Sequence, residues 1–374
     1  MFERIITIMR KEFILILRDP RMRGIIFVAP VVQLLLFGYA ANMDIKNIPA
    51  AVYDLDNTPQ SRELARKFSD SGYFRVLYRI GDDRAQRSLL DRGRVNAVIR
   101  FNRGFAQDLL AKRPAKLQLL IDGTDSNTAS VILSYSNNIV SVYSSKILAE
   151  RFVSSGAKPP AEVDLRQRAW FNENLVSCLY YIPGVILLLI TVTTLLLTAM
   201  AIVREKESGT IEQLMVSPIR PQELILGKLL PFGIIGVIDV FLITVIGVLL
   251  FQLPVRGSLF LLFGATLAYL LTSLGIGLFI STISATQQEA MLSTFLFLFP
   301  ANMLSGFMFP IQNMPQLIQY ATYLNPLRYF MEILRGIFLK GVGLDILWPN
   351  MLILTVMGMM ILGMSSLRFR KRLG

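Results

Sequence analysis

Histidine is absent from the chain, and cysteine occurs once, as Cys178. The first absence removes the commonest general base and metal ligand, and the second rules out an intramolecular disulfide or a thiolate cluster. Histidine-based catalysis and zinc hydrolysis are therefore excluded, and no catalytic or metal-ligating residue is expected. Charge is scarce too: Asp, Glu, Lys and Arg make up 17% of the 374 residues, against about 25% in soluble domains. A phosphate-binding G-x-x-x-x-G-K-[ST] loop is also missing. The only Gly-Lys pair, Gly227 and Lys228, is followed by Leu229 and has Gln222 where the first glycine of such a loop belongs. The chain is expected to bind no cofactor of its own, so uphill work must draw energy from a partner or an ion gradient.

What is present is apolar. Hydrophobic residues make up 53% of the chain, and crossing a hydrocarbon layer takes about 20 of them in a row. Six stretches qualify: Gly24 to Met43, one within Asn174 to Val203, one within Leu229 to Val255 interrupted by Asp239, one within Gly257 to Gln288, one beginning near Ala290, and Ile346 to Leu367. The net charge of +12 is distributed around them, with +3 before the first stretch, +5 in a long polar insert and +4 in the last residues. Basic residues at the ends of apolar spans follow the positive-inside rule, whereas a nucleic-acid binder carries a basic stripe on a soluble fold. No nucleic-acid partner is expected. The same rule puts both termini in the cytoplasm, which an even number of spans satisfies.

These features predict an α-helical integral membrane protein with six transmembrane helices and membrane lipids around it. Residues 1–21 read as a cytoplasmic interfacial helix, with Ile5, Ile6, Met9, Phe13 and Ile16 on one face and Pro20 bending the chain before the first span, residues 22–43. Residues 44–173 read as an extracytoplasmic α/β domain. Its strand-like runs lie at Ala50 to Tyr53, Phe74 to Leu77, Val95 to Ile99 and Leu117 to Ile121, with helices opening near Thr58, Asp82 and Arg103. A longer helix from about Asp125 would bury Val131, Ile132, Tyr135, Ile139, Val142 and Tyr143, and Lys158, Pro159 and Pro160 mark a linker after it. Residues 174–374 hold the other five helices. Four prolines, Pro300, Pro310, Pro315 and Pro326, divide the uncharged stretch from Ala290 to Leu327, so a crossing to about Phe309 and then an extracytoplasmic re-entrant hairpin over about 310–340 are expected.

Two groups of residues could carry function. Asp239 is a carboxylate inside a span, which costs several kcal/mol unless it faces a partner or water. It is a candidate for the translocation path or for a dimer contact, against a plain pairing with a hydroxyl or amide on a neighbouring span, with Gln33, Thr194, Asn302 and Phe307 as weaker candidates for the path. The loop of residues 204–218 is charged and short. Gly209 can end the second span, and Ser208 or Thr210 can cap a short helix with Ile211, Leu214 and Met215 on one side, suited to docking in a groove of a cytoplasmic protein.

The whole arrangement, and the run Glu205-Lys206-Glu207-Ser208-Gly209-Thr210 above all, resembles the permease subunits of bacterial ABC-2 type exporters, as does the segment from Met303 to Pro315 near the fifth span. The likeness is to the drug-efflux kind, whose genes accompany an ATPase and a periplasmic adaptor of the membrane-fusion type. It implies an inner-membrane permease without enzymatic activity, driven by an ABC ATPase subunit that holds ATP and Mg. It further implies that Arg204, Glu205, Lys206, Glu207, Gly209, Thr210, Glu212 and Leu214 form a coupling helix on that ATPase. Two permeases, copies or paralogues, would pair and export an amphipathic, drug-like or lipid-like substrate by alternating access. The rivals are an ion-coupled secondary transporter, for which several intramembrane ionisable residues would be expected, and a non-transporting receptor sensing through residues 44–173.

Overall fold

The computed structural model describes residues 2–40, 47–154, 170–172, 177–209 and 220–373, and the chain divides into two compact units, Asp44–Gln167 and the remainder. In chain order the elements are α1 (Phe2–Arg18), α2 (Pro20–Arg23), a π-helical turn (Gly24–Val28) and α3 (Ala29–Ala40). The smaller unit follows with β1 (Ile48–Asp54), α4 (Pro59–Asp70), β2 (Phe74–Ile80), α5 (Asp83–Asp91), β3 (Ala97–Phe101), α6 (Phe105–Leu110), β4 (Leu117–Ile121) and α7 (Ser126–Ser154). The rest is helical: α8 (Ser177–Glu207), α9 (Pro221–Phe251), α10 (Leu259–Ile283), α11 (Gln287–Met303), α12 (Gln316–Thr322), α13 (Pro326–Arg335) and α14 (Leu344–Leu373).

The smaller unit is a four-stranded sheet in the order β2-β1-β3-β4, with β1 parallel to both neighbours and β4 antiparallel to β3. Side-chain caps set its helix starts. Thr58 accepts from the Ser61 amide with Pro59 following it at the first helical position, and Asp82 accepts from the Ala85 amide. Asp56 closes another corner, taking hydrogen bonds from Thr58 Oγ1 at 2.6 Å, from the Gly104 amide at 2.8 Å and from the Ala106 amide at 3.0 Å. Burial raises the cost of its charge, but these donors outweigh that and hold its carboxyl below the ordinary range. On α7 the buried face runs through Ile132, Tyr135, Ser136, Ile139 and Tyr143, while Val142, which the sequence assigns to that face, is 65% exposed. Helical spacing from Ile139 selects Tyr143 and turns Val142 outward.

Among the described residues of the larger unit four helices, α8, α9, α10 and α14, are long and apolar enough to cross a membrane. The apolar segment Gly24–Tyr39 is shorter, and α11 has 17 residues, about 26 Å of helix. The sequence runs that crossing on to about Phe309, but the helix stops at Met303, and Gly306 takes a positive φ of 81° in the turn that follows. Beyond it, α12 exposes Leu317 and Tyr320 and the turn after it Leu324, whereas α13 buries Leu327, Phe330, Met331, Ile333 and Leu334 against the bundle. Asn325 sets the start of α13, its side chain accepting from the Leu327 amide and donating to the Ala301 carbonyl at 2.7 Å.

Buried α8 is the hub of this unit, with Ile182, Ile186, Leu187, Ile190 and Leu195 fully enclosed. The peripheral helices show the reverse of a soluble pattern. Leu226, Leu230, Ile234, Ile238, Phe241, Val245 and Leu249 form an exposed apolar stripe along α9, and Leu352, Val356, Met360, Met364 and Leu367 do so along α14. Stripes of this length are stable only against lipid or another apolar surface. Against α9 lies α1, turning Ile5, Ile8, Glu12 and Ile16 inward and Ile6, Ile14 and Leu17 outward. The approach is close: a Cβ on Gly227 would stand 2.8 Å from the Ile8 side chain. Ile6, grouped by the sequence with Ile5 and Ile16 on the apolar face of an interfacial helix, is on the outer side.

Candidate functional site

Four charged groups meet where α8 ends and α9 begins. Lys228 Nζ lies 2.6 Å from Glu205 Oε2 and 3.3 Å from Glu12 Oε1, and Lys11 Nζ lies 3.1 Å from Glu205 Oε1. The side chains of Lys228, Glu12 and Glu205 are only 3%, 7% and 11% exposed. Two ammonium groups balance two carboxylates, so the set is neutral and joins α1, α8 and α9 at one point. Taking such ions from water costs several kcal/mol each, which their mutual attraction repays only in close geometry. An arrangement of this kind fixes relative position more than it adds stability. One turn earlier on α9, Glu223 accepts from the Arg220 amide at 3.0 Å and pairs with Arg4 at 3.6 Å, a second tie to α1.

The last turn of α8 is also clipped on its other side. Lys206 Nζ donates to the Ser284 carbonyl at 2.9 Å, and Glu207 accepts from both the amide (2.8 Å) and the side chain of Gln287, at the junction of α10 and α11. Gly209 then leaves the helix with φ of 68°, a conformation that favours glycine. Arg204 is half-buried one turn before it. Thr210, Glu212 and Leu214 lie outside the described residues. Glu205 and Glu207, grouped by the sequence with residues presented to a partner, are engaged within the chain itself, Glu205 in the buried cluster and Glu207 on Gln287.

Halfway along the bundle, the residues singled out for a path separate into two sets. Asp239 is fully buried, and neither of its carboxylate oxygens has a hydrogen-bond partner of ordinary geometry among the described residues. The Thr193 hydroxyl beside it bonds instead to the Leu189 carbonyl at 2.9 Å. One position on, Thr194 Oγ1 meets Ser273 Oγ at 2.5 Å, and Thr191 Oγ1 meets Tyr269 Oη at 2.5 Å, two hydroxyl pairs joining α8 to α10. Asn302 and Phe307 belong to the α11 end of the bundle: Asn302 donates to Leu298 in its own helix at 3.3 Å, and Phe307 packs edge-on to Tyr181 with ring centroids 6.3 Å apart. Gln33 is half-buried on α3. Asp239 and Thr194 thus share the polar layer, and the other three do not join it.

Sequence reasoning passes over Glu12 and Lys228. A signal for the first exists, since Glu12 falls four residues from both Ile8 and Ile16, on the packed stripe of α1. Lys228 is a lone cation between Gly227 and Leu229 in an apolar run, which calls for a carboxylate partner, though only the fold identifies it.

A family profile described as ABC-2 family transporter protein matches residues 21–367. The chain is 34% identical over 351 residues to the probable multidrug ABC transporter permease YbhR of Escherichia coli, covering 94% of each chain. It is 32% identical over 369 residues to the probable multidrug ABC transporter permease YbhS of the same organism, covering 97% of this chain and 96% of that one. The linearmycin resistance permease protein LnrN of Bacillus subtilis is 21% identical over 362 residues, with 91% and 92% covered.

Proposed function

Because the chain belongs to the ABC-2 transporter family, as a multi-pass membrane permease that works with an ABC ATPase, we propose that its buried charge cluster is the joint through which that ATPase moves the bundle. The cluster of Glu12, Lys228, Glu205 and Lys11 carries this reading, because Glu205 is four residues before Gly209 at the end of α8 and the cluster locks α1, α8 and α9 together. A force on the loop is then delivered to three helices at once. In this account Glu205 is a positioning residue, and contact with the ATPase falls to residues 210–219.

The finer parts of the proposal follow. Six crossings, the sixteen residues Gly24–Tyr39 and α11 among them, leave both basic termini in the cytoplasm. The unit Asp44–Gln167 then lies outside the cytoplasm, and α12 and α13 form a re-entrant hairpin on that side. Two permeases pair through apolar faces, and an adaptor of the membrane-fusion type engages from the periplasm. The substrate is amphipathic, in keeping with the multidrug naming of the relatives, and moves by alternating access.

Reconstitution with the ATPase tests the joint. Lys11→Met cuts the tie between α1 and α8 at a half-exposed ammonium, so the fold should survive while ATP-dependent export falls and basal hydrolysis persists. Unchanged export in this variant removes the observation on which the proposal stands.

A further inference from the structure

A groove of about 540 Å³ lies between α10, α11 and α14. Buried Ile280 and Ser365 form its floor, and the Ser365 hydroxyl is already engaged, 3.0 Å from the Gly275 carbonyl and 2.7 Å from that of Ile361. Ile283, Leu296 and Met364 stand exposed along its rim. Apart from Ser365 and Ser293, every side chain around the groove is apolar. An unfilled recess of this size forfeits the packing contacts of its walls, and in a bilayer the filling at hand is a hydrocarbon chain.

One end of the groove is basic. Arg368 follows Met364 by one turn of α14, and its guanidinium lies over the ring of Phe279, a wall of the groove, 5.3 Å from the centroid. Arg368 is exposed, and it pairs with no carboxylate among the described residues. The carboxylates at this end have other partners: Glu207 accepts from Gln287, and Glu289 from the Ala285 amide at 2.6 Å. Lys206, on the carbonyl of Ser284 next to Ile283, is a second cation there. Arg370, Lys371 and Arg372 follow within four residues of Arg368, so cations outnumber carboxylates.

That charge decides between occupants. A second copy of the chain meeting this face about a twofold axis would set its own basic end against Arg368, whereas basic recesses between membrane helices attract anionic head groups. We propose that the groove holds one anionic phospholipid as a resident lipid rather than as cargo, an acyl chain along Ile280, Leu296 and Met364 and its phosphate at Arg368. Seated there, the lipid braces α14 against the junction of α10 and α11, where Lys206 and Glu207 clip the end of α8. The proposal rests on the membrane bundle alone and requires neither an ATPase nor export, so it stands or falls separately from the coupling reading.

The full chain, purified in a mild detergent without its ATPase, is to be titrated with phosphatidylglycerol and with phosphatidylcholine of the same acyl chains, and the retained lipid read by native mass spectrometry. Phosphatidylglycerol should be held in preference, and Arg368→Gln, at an exposed position, should reduce that preference roughly fivefold, the worth of one cation at a membrane surface. Arg368→Lys, which keeps the charge, should retain most of it. Ser293→Phe fills the groove from α11 and leaves the basic end alone, so it should weaken retention of both lipids. Equal retention of the two lipids by the unaltered chain overturns the proposal, as does a preference that Arg368→Gln leaves unchanged or lipid binding that Ser293→Phe leaves unchanged. Dimers that retain no lipid and that Ser293→Phe dissociates overturn it too, and assign the groove to a second copy.

Discussion

The ammonium of Lys228 lies 2.6 Å from a carboxylate oxygen of Glu205, joining the first turns of α9 to the last turn of α8. Glu12 shares the same ammonium at 3.3 Å, so one cation separates two buried carboxylates.

Replacing Lys228 with methionine keeps the volume and removes that cation. Glu12 and Glu205 then face each other with only Lys11 to offset them, and breaking a buried pair in this way costs about 3–5 kcal/mol. Thermal unfolding of the purified chain should show that loss. Adding Glu12→Gln to Lys228→Met should recover part of it, so that the double variant is less destabilised than the sum of the singles. Additive losses would mean that the two groups do not interact.

Gly209 carries φ of 68°, and a β-branched residue there costs about 1–2 kcal/mol of local strain. Since the position is exposed and follows the end of α8, Gly209→Val should be made and inserted at normal levels. What should fail is the linkage: ATP hydrolysis by the partner should lose its stimulation by substrate, measured in proteoliposomes.

Asp239→Asn keeps the shape of the side chain and removes a charge that lacks an ordinary hydrogen-bond partner in the bundle. Stability should hold or rise, while export falls if the carboxylate serves the path. Normal export with impaired assembly would instead mark Asp239 as a helix contact.

The smaller unit offers a prediction in pH. The carboxyl of Asp56 is held below its usual range in the folded state, where burial is outweighed by the Thr58, Ala106 and Gly104 donors. Its stabilising contribution is therefore complete above the unfolded value of 3.8 and is lost as pH falls below it, through the lower folded value. Residues 44–167 expressed alone should melt cooperatively, with stability dropping below about pH 4. Asp56→Ala should be less stable at neutral pH and flatter across that acid range.

Local signals were the legible ones. Thr58 before Pro59, and Asp82 with its side chain on the Ala85 amide, mark helix starts because a cap and its helix lie within three residues of each other. A short β-type run likewise marks β4 at Leu117–Ile121. The run of residues 204–209 pointed to the family, but the partners of Glu205 lie on other helices, and Lys11 is 194 positions away. Nothing in the local sequence tells an exposed glutamate from a buried one, so Glu205 read as a surface contact. The end of α11 at Met303 was hidden for a related reason: uncharged residues continue well past it, and the stop depends on the turn at Gly306 rather than on polarity.

The helix α8 has 31 residues and so spans about 46 Å, with Glu205 near one end and Tyr180, under the guanidinium of Arg335, near the other. Pro183 lies between Tyr180 and the rest of the helix and supplies no amide hydrogen to hold the first turn rigid. That makes α8 a lever pivoted close to its short arm. A displacement of a few ångströms at the charged end becomes a tilt of only a few degrees at Tyr180, and the guanidinium stacked on that ring turns with it.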